Sequence, residues 1–204
     1  MNVQFLAIEG PLLLTPAVYA DDRGWFSESW NRRRFSEALG VSEAEAPDFV
    51  QDNHSRSVQG VLRGLHFQRQ PHPQGKLVRC TLGEVYDVAV DLRQDSATLG
   101  QWVGVRLSAD NHQQLWVPVG FAHGFLTLSA VAEVQYKTAG YWSRECERSL
   151  AWNDTALAIA WPLEELPAPH QPLLAPKDAE APGLEALAAA GDLFSPHPAP
   201  AHNV

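Results

Sequence analysis

What this sequence lacks narrows its function before any motif is considered. It has no excess of basic charge: 15 Lys and Arg stand against 24 Asp and Glu, a formal net charge of −9. That balance argues against a broad, non-specific nucleic-acid surface, although an acidic exterior is compatible with a basic pocket for a small anion. Cysteine is nearly absent. Cys80 and Cys146 form no CxxC pair, and with no disulfide framework the expected setting is reduced and cytoplasmic. Long apolar runs are missing too. The first stretch, MNVQFLAIEGPLLLTP, has neither the basic start of a signal peptide nor the length of a membrane span. There is no GxSxG elbow and no GxGxxG after a strand, so neither an acylated serine nor a bound nicotinamide is supported. No internal repeat occurs.

What is present is the composition of a globular protein, 45% hydrophobic and 19% charged over 204 residues, long enough for one domain with a real core. Residues 3 to 19 read as extended segments broken at Gly10-Pro11 and Pro16. NRRRFSEALG (31 to 40) predicts a short helix, with Asn31 as its cap, Phe35 and Leu39 on one face and Gly40 as its stop. The run Arg32-Arg33-Arg34 reads as a solvated helix face. From about residue 60 to 142 the pattern changes to short strands: KLVRCTL, EVYDVAVDL, QWVGVRLS, QLWVPVG, HGFLTLS and AEVQYKTAGYW. Gly, Asn and Asp punctuate them at the spacing of a sandwich or barrel, and no long helices intervene, which excludes a doubly wound parallel sheet. The expected fold is mainly β, a jelly-roll or β-helix-like barrel with a few short helices. GLEALAAAG predicts one helix stopped by Gly191, and SPHPAPAHNV reads as a loose tail.

The stretch GVLRGLHFQ (60 to 68) poses the main question. It reads as a buried strand, yet it carries Arg63 and His66, an odd number of residues apart and so on opposite faces of a regular strand. The two can share a cavity only if the strand is irregular. Gly64 lies between them, and a glycine inside a strand often marks a bulge or a close backbone approach. Gly64 is therefore the expected point of departure from regular alternation.

Several other residues are candidates for chemistry. Lys76 shares a strand face with Val78 and Cys80, but the alternation there is too apolar on both sides to say which face is inside. Tyr136 shares a face with Ala132, Val134 and Thr138 and is expected to point inward, opposite a solvent face of Glu133, Gln135 and Lys137. His123 lies in GFAHGF. DRGWFSE holds Arg23 and Glu28, QDNHS holds Gln51 and Asn53, and PKDAEAP holds Lys177 and Asp178. Taken singly, each has an ordinary explanation: a hydrogen-bonded histidine, a core tyrosine, a surface cation, a turn at DRGW. A metal centre is poorly supported. Barrels of this kind often hold a metal with an HxH pair and a following carboxylate, but here Gln68 stands where the second histidine would be, and the other histidines (54, 72, 112, 123, 170, 197 and 202) are scattered. No metal and no cofactor are expected. The remaining set, a histidine base, a tyrosine acid and nearby cations, suits proton abstraction beside a carbonyl. Imidazole titrates near working pH, and an ammonium or guanidinium stabilises the enolate oxygen in a water-poor pocket. His66 with Tyr136, and with Lys76 and Arg63 nearby, describes an epimerase without metal or cofactor.

These residues lie in stretches that resemble one family, the dTDP-4-dehydrorhamnose 3,5-epimerases. The resemblance runs from about residue 3 to about 185 through DDRGWFSESWN, FVQDNHS, GVLRGLHFQ, QGKLVRCTLGEVYDVAVDLR, QLWVPVGFAHGFLTLS, YKTAGYW, ERSLAWND and PKDAEAP. It implies a cupin-type jelly-roll barrel, usually dimeric, that acts on dTDP-4-dehydro-6-deoxy-D-glucose and inverts C3 and C5 on either side of the C4 ketone. It implies one cupin-like domain over residues 1–185 followed by an Ala/Pro-rich tail, 186–204. Residue by residue, it implies His66 as the base, Asp178 as the partner that orients it (Asp154 is the less favoured choice), Tyr136 as the proton donor and Lys76 as the enolate stabiliser. Arg23, Glu28, Gln51, Asn53, Arg63, His123, Glu147 and Lys177 match substrate-binding positions, the cations being suited to the diphosphate. The chain departs from the family in its tryptophans within DRGWFSESWN, a slightly long segment between Trp161 and Lys177, and the extended tail. Related enzymes that invert only one centre share most of these motifs. A catalytically silent sugar-nucleotide-binding barrel would not need His66 and Tyr136 together, and a metal-dependent cupin oxygenase would need the missing HxH.

Overall fold

Strand parity sorts this chain into an inside and an outside. The computed structural model describes residues 1–195. The strands, in chain order, are β1 (Asn2–Phe5), β2 (Leu12–Thr15), β3 (Val18–Asp21), β4 (Gly24–Ser27), β5 (Gln51–Val58), β6 (Leu62–Gln68), β7 (Lys76–Leu82), β8 (Glu84–Asp91), β9 (Trp102–Ser108), β10 (Gln114–Val117), β11 (Phe121–Thr127), β12 (Val131–Thr138) and β13 (Glu147–Ser149). Three short helices join them: α1 (Arg32–Leu39), α2 (Pro176–Ala179) and α3 (Leu184–Ala189). A six-stranded sheet ordered β1-β2-β10-β7-β12-β5 faces a five-stranded sheet ordered β13-β6-β11-β8-β9, and β3 and β4 form a separate hairpin. The strand pairs of all three sheets are antiparallel. This is a cupin-like jelly roll.

The interior between the sheets is filled at one end by Val78, Cys80, Val85, Ala89, Leu115, Phe121, Phe125, Ala132 and Val134. By the same two-residue period, Lys76 on β7, Asp87 on β8, His123 on β11 and Tyr136 on β12 point into that interior. Lys76 thus lies on the inner face that its flanking sequence left undecided, and Tyr136 is inward as expected. The outer faces are apolar for a different reason: each is covered. Leu77, Leu12, Leu14 and Trp116 pack beneath α1 through Phe35. Leu62, Leu65, Val88, Val90 and Leu126 pack beneath the chain from Leu150 to Phe194.

The helix at 32–39 forms as its sequence dictates. The Asn31 side chain accepts from the Arg34 N–H, and Gly40 ends the helix at φ 69°. Its arginines are less free than a solvated face would be, because Arg32 pairs with Asp48, Arg33 with Glu43 and Arg34 with Glu28. The outer face of β12 is likewise half-buried rather than simply solvated, since Glu133 pairs with His54 and Arg56, Gln135 accepts from Arg79, and Lys137 pairs with Asp52. Past residue 183 the chain stays packed: Leu187, Leu193 and Phe194 are buried, and Phe194 bridges Arg93. The stretch expected as a tail from residue 186 is therefore ordered against the barrel as far as Phe194. Residues 196–204, with His197 and His202, lie outside the described residues. No described helix is long and apolar enough to cross a membrane.

Candidate active site

The β6–β11 ladder answers the question raised by Arg63 and His66. His66 pairs with His123 and Arg63 pairs with Phe125, so three steps along β6 span two steps along β11. One extra residue is accommodated at Gly64–Leu65, opposite Gly124, which is the definition of a β-bulge. The slip cancels the odd spacing, and Arg63 and His66 line the same cavity. Gly64 takes φ 120°, a backbone region open to glycine and strained for other residues. The Gly64–Leu65 peptide is cis.

That cavity has a volume of about 700 Å³, the size of a small-molecule site. Ten of the twelve candidate residues line it: Gln51, Asn53, Arg63, His66, Lys76, His123, Tyr136, Glu147, Lys177 and Asp178. The strands supply eight of them from inward positions, and α2 brings Lys177 and Asp178 into the lining. The other two, Arg23 and Glu28, do not line it. Arg23 lies in the β3–β4 turn with its side chain 90% exposed and paired to Asp21, and Glu28 pairs with Arg34.

At the floor of the cavity His66 Nε2 lies 2.6 Å from Asp178 Oδ1. Asp178 is only 3% exposed, and its other oxygen accepts from the Gly64 N–H at 3.3 Å. Burial pushes the Asp178 carboxyl up, but the His66 hydrogen bond and charge, the Gly64 N–H and Lys177 outweigh it, and the group lies below its usual range. An ionised carboxylate only accepts, so His66 Nε2 carries the proton and donates it. Burial pulls His66 below the ordinary histidine range, against the raising effect of Asp178. The two directions agree on one state: neutral imidazole, held by a carboxylate, with its second ring nitrogen available as a base. Asp154, the alternative partner, is elsewhere, accepting from the Ala156, Leu157 and Leu184 backbone N–H groups.

Lys76 is buried and donates to the His66 carbonyl at 3.2 Å. Burial pushes its ammonium down to about 8, against the raising influence of Asp87 and Glu147. Tyr136 is half-buried, and burial raises its phenol further, so it is a neutral O–H donor at working pH. Arg63 is oriented from behind: its Nε donates to Ser57 Oγ at 3.0 Å and its Nη2 to the Arg56 carbonyl at 3.3 Å. Lys177 pairs with Glu147 at 3.2 Å. The Gln51 side chain donates to Asn53 Oδ1 and accepts from the Trp142 N–H.

Two functional features lie outside the sequence reading. Asp87 is fully buried and its Oδ1 accepts from His123 Nε2 at 2.9 Å, so His123 has a carboxylate partner just as His66 does. The signal was available: a carboxylate at the inward parity of Val85 and Ala89, in the middle of a strand whose charges otherwise lie at its two ends, Glu84 and Asp91. Trp142 lines the cavity with about half its surface exposed (54%), an open aromatic face at the rim. Gln68, at the position of the missing second histidine, is buried and fully committed: it donates to the His72 and Tyr141 carbonyls and accepts from the Ser143 N–H. Among the described residues no group of three His, Cys, Asp or Glu is arranged to hold a metal.

Comparison with known proteins points the same way as this geometry. The family profile described as dTDP-4-dehydrorhamnose 3,5-epimerase matches residues 5–186. Curated proteins of that name from Pseudomonas aeruginosa and Salmonella typhimurium are 56% and 55% identical, over 87% and 88% of this chain and 93% of each relative. The crystal structure of dTDP-6-deoxy-D-glucose-3,5-epimerase from Legionella pneumophila in complex with dTDP-4-keto-L-rhamnose is 47% identical. It superposes with a TM-score of 0.87 over 97% of this chain and 99% of that one. Sequence and fold are thus shared along nearly the whole described chain, which belongs to the dTDP-4-dehydrorhamnose 3,5-epimerase family.

Proposed function

We propose that this protein converts dTDP-4-dehydro-6-deoxy-D-glucose to dTDP-4-dehydro-L-rhamnose by acid–base chemistry at C3 and C5. The observation that carries the reading is the neutral His66, held 2.6 Å from Asp178, in the same cavity as Tyr136 and Lys76. The free ring nitrogen of His66 takes the proton from the carbon beside the C4 ketone. The C–H electron pair moves into the C–C bond and the carbonyl oxygen takes the negative charge of an enolate. The Lys76 ammonium, itself buried, stabilises that oxygen. Tyr136 donates its phenolic proton to the opposite face of the carbon, and solvent restores both Tyr136 and His66. Every oxidation state is unchanged, so the chemistry calls for no redox cofactor. Arg63 and Lys177 suit the diphosphate, Gln51, Asn53, His123 and Glu147 suit the sugar and base, and the open face of Trp142 suits stacking on the nucleobase.

The site residues Arg23 and Glu28 fit this reading through a homodimer. They sit on and just after a hairpin whose Tyr19, Trp25 and Phe26 are all more than half exposed, an apolar aromatic surface on which Trp25 meets His112 edge-on. In the proposed dimer the hairpin covers the cavity mouth of the second copy and presents Arg23 and Glu28 there. A cytoplasmic location fits the two free cysteines, both buried.

The reaction is tested by incubating the purified protein with dTDP-4-dehydro-6-deoxy-D-glucose in deuterated water and following C3 and C5 by NMR. Deuterium at both carbons, with L-rhamnose trapped by a downstream reductase, is the expected result. Deuterium at one carbon only identifies a single-centre epimerase. No exchange in folded protein that still binds dTDP identifies a silent binding barrel.

A further inference from the structure

The catalytic dyad rests on a feature that carries no chemistry of its own. Gly64 and Gly124 meet backbone to backbone where β6 bulges over β11. A Cβ on Gly124 would lie 2.6 Å from the Arg63 carbonyl oxygen and 3.1 Å from Gly64 Cα. A Cβ on Gly64 would lie 2.7 Å from Gly124 Cα and 2.8 Å from the His123 carbonyl oxygen. These are backbone neighbours, which cannot swing aside as the end of a side chain can. The bulge has a second consequence. The Gly64 N–H is directed to Asp178 Oδ2. The neighbouring backbone is held from the other side, where Leu65 and Leu150 exchange both of their backbone hydrogen bonds.

We propose that Gly64 and Gly124 are paired positioning residues for the epimerisation: their contact sets the bulge that turns His66 into the cavity beside Arg63 and aims the Gly64 N–H at the carboxylate that holds His66. The inference rests on the epimerase reading and deepens it. Neither glycine touches substrate. Each acts through His66 and Asp178, and a displacement of the order of 1 Å at a reacting group costs about 100-fold in rate.

The test compares wild type with Gly124→Ala and Gly64→Ala. Folding is checked by circular dichroism, nucleotide affinity by titration with dTDP, and proton abstraction by deuterium exchange into dTDP-4-dehydro-6-deoxy-D-glucose. The expected result is exchange slowed about 100-fold with a much smaller loss of dTDP affinity, because the Arg63 guanidinium keeps its own anchors on Ser57 and Arg56 while the dyad loses the Gly64 N–H. The acid limb of the pH–rate profile should also move, since it reports the His66–Asp178 pairing. Wild-type exchange in a folded Gly124→Ala protein would overturn the proposal, as would exchange and dTDP affinity declining in parallel. If neither variant folds, the wild-type protein decides. In an NMR pH titration the Gly64 amide proton should follow the His66 imidazole, and a Gly64 amide that stays fixed while His66 titrates would overturn the proposal. A wild-type protein that showed no exchange at all would remove the epimerase reading, while the Gly64 titration would still report on the bulge.

Discussion

His66 and His123 are cross-strand partners on β6 and β11, and each donates its Nε2–H to a buried carboxylate, His66 to Asp178 and His123 to Asp87. The two carboxylates arrive from different directions, Asp178 on α2 from the C-terminal segment and Asp87 on the neighbouring strand β8. The cavity therefore holds two imidazoles fixed in orientation, with the buried ammonium of Lys76 close enough to feel the charge of Asp87.

Asp87→Asn tests the second of these pairs. Two effects are expected together. The His123 ring loses the charged partner that fixes its tautomer, since an Asn amide can present either an oxygen or an N–H to it, and turnover should fall by about 10 to 100-fold, the scale of one charge-assisted hydrogen bond. Lys76 loses an influence that raises its pKa, so the alkaline limb of the rate profile should move to lower pH. Steady-state rates from pH 5 to 10 for both proteins check this. An unchanged alkaline limb would separate Asp87 from Lys76.

The wild-type pH dependence follows from the same groups. His66 must be neutral to take a proton, and burial lowers its pKa, so the rate should rise with pH along a limb centred below the free histidine value of about 6.5. Lys76 must be charged to stabilise the enolate, so the rate should decline again as pH passes about 8. The profile of kcat/KM is expected to be a bell between those limbs. A profile still rising through pH 9 would remove Lys76 from the role of charged stabiliser.

The sequence was most legible where burial was two-sided. β8, β10 and β11 carry β-branched and aromatic runs because one face fills the barrel and the other is covered, and the bounds of β7 to β12 fall within a few residues of the expected segments. β5 was not legible as a strand. Its sequence, QDNHSRSV, lacks an apolar face because the inward residues Gln51, Asn53 and Ser55 line the cavity, while Asp52, His54 and Arg56 on the other face answer charges on β12. Function erased the usual pattern there. Gly64 was legible because an odd spacing between two functional residues demands an irregularity. Its opposite number, Gly124, was not, because strand pairing is a three-dimensional fact. Arg23 is a site candidate through the family resemblance alone; it lies outside the cavity of its own chain, and nothing local in the sequence says whose cavity it would serve.

The division of labour between base and acid separates two variants. His66→Ala should slow both solvent exchange and turnover by about 100 to 10,000-fold while dTDP still binds. Tyr136→Phe keeps the aromatic ring and removes the O–H. It should spare deuterium exchange at the face of abstraction more than it spares inversion. NMR in deuterated water distinguishes the two by comparing exchanged substrate with epimerised product. Equal losses of exchange and inversion in Tyr136→Phe would move the donor role to another group.

The placement of Arg23 gives the dimer a test that does not depend on measuring size. Arg23→Ala and His66→Ala proteins should each be weak alone. In a mixed dimer, if Arg23 serves the partner's cavity, the site containing the intact His66 receives an intact Arg23 from the other subunit. The second site lacks both groups. Half of the dimers in a randomised equimolar mixture are mixed, and each has one complete site of two, so about a quarter of wild-type activity should return. If Arg23 serves its own cavity, one site of the mixed dimer lacks the base and the other lacks the arginine, and no activity returns. Recovery on mixing, after subunit exchange at low denaturant, therefore locates the arginine across the interface. Absence of recovery, in mixtures shown to exchange subunits, would confine the β3–β4 hairpin to its own chain.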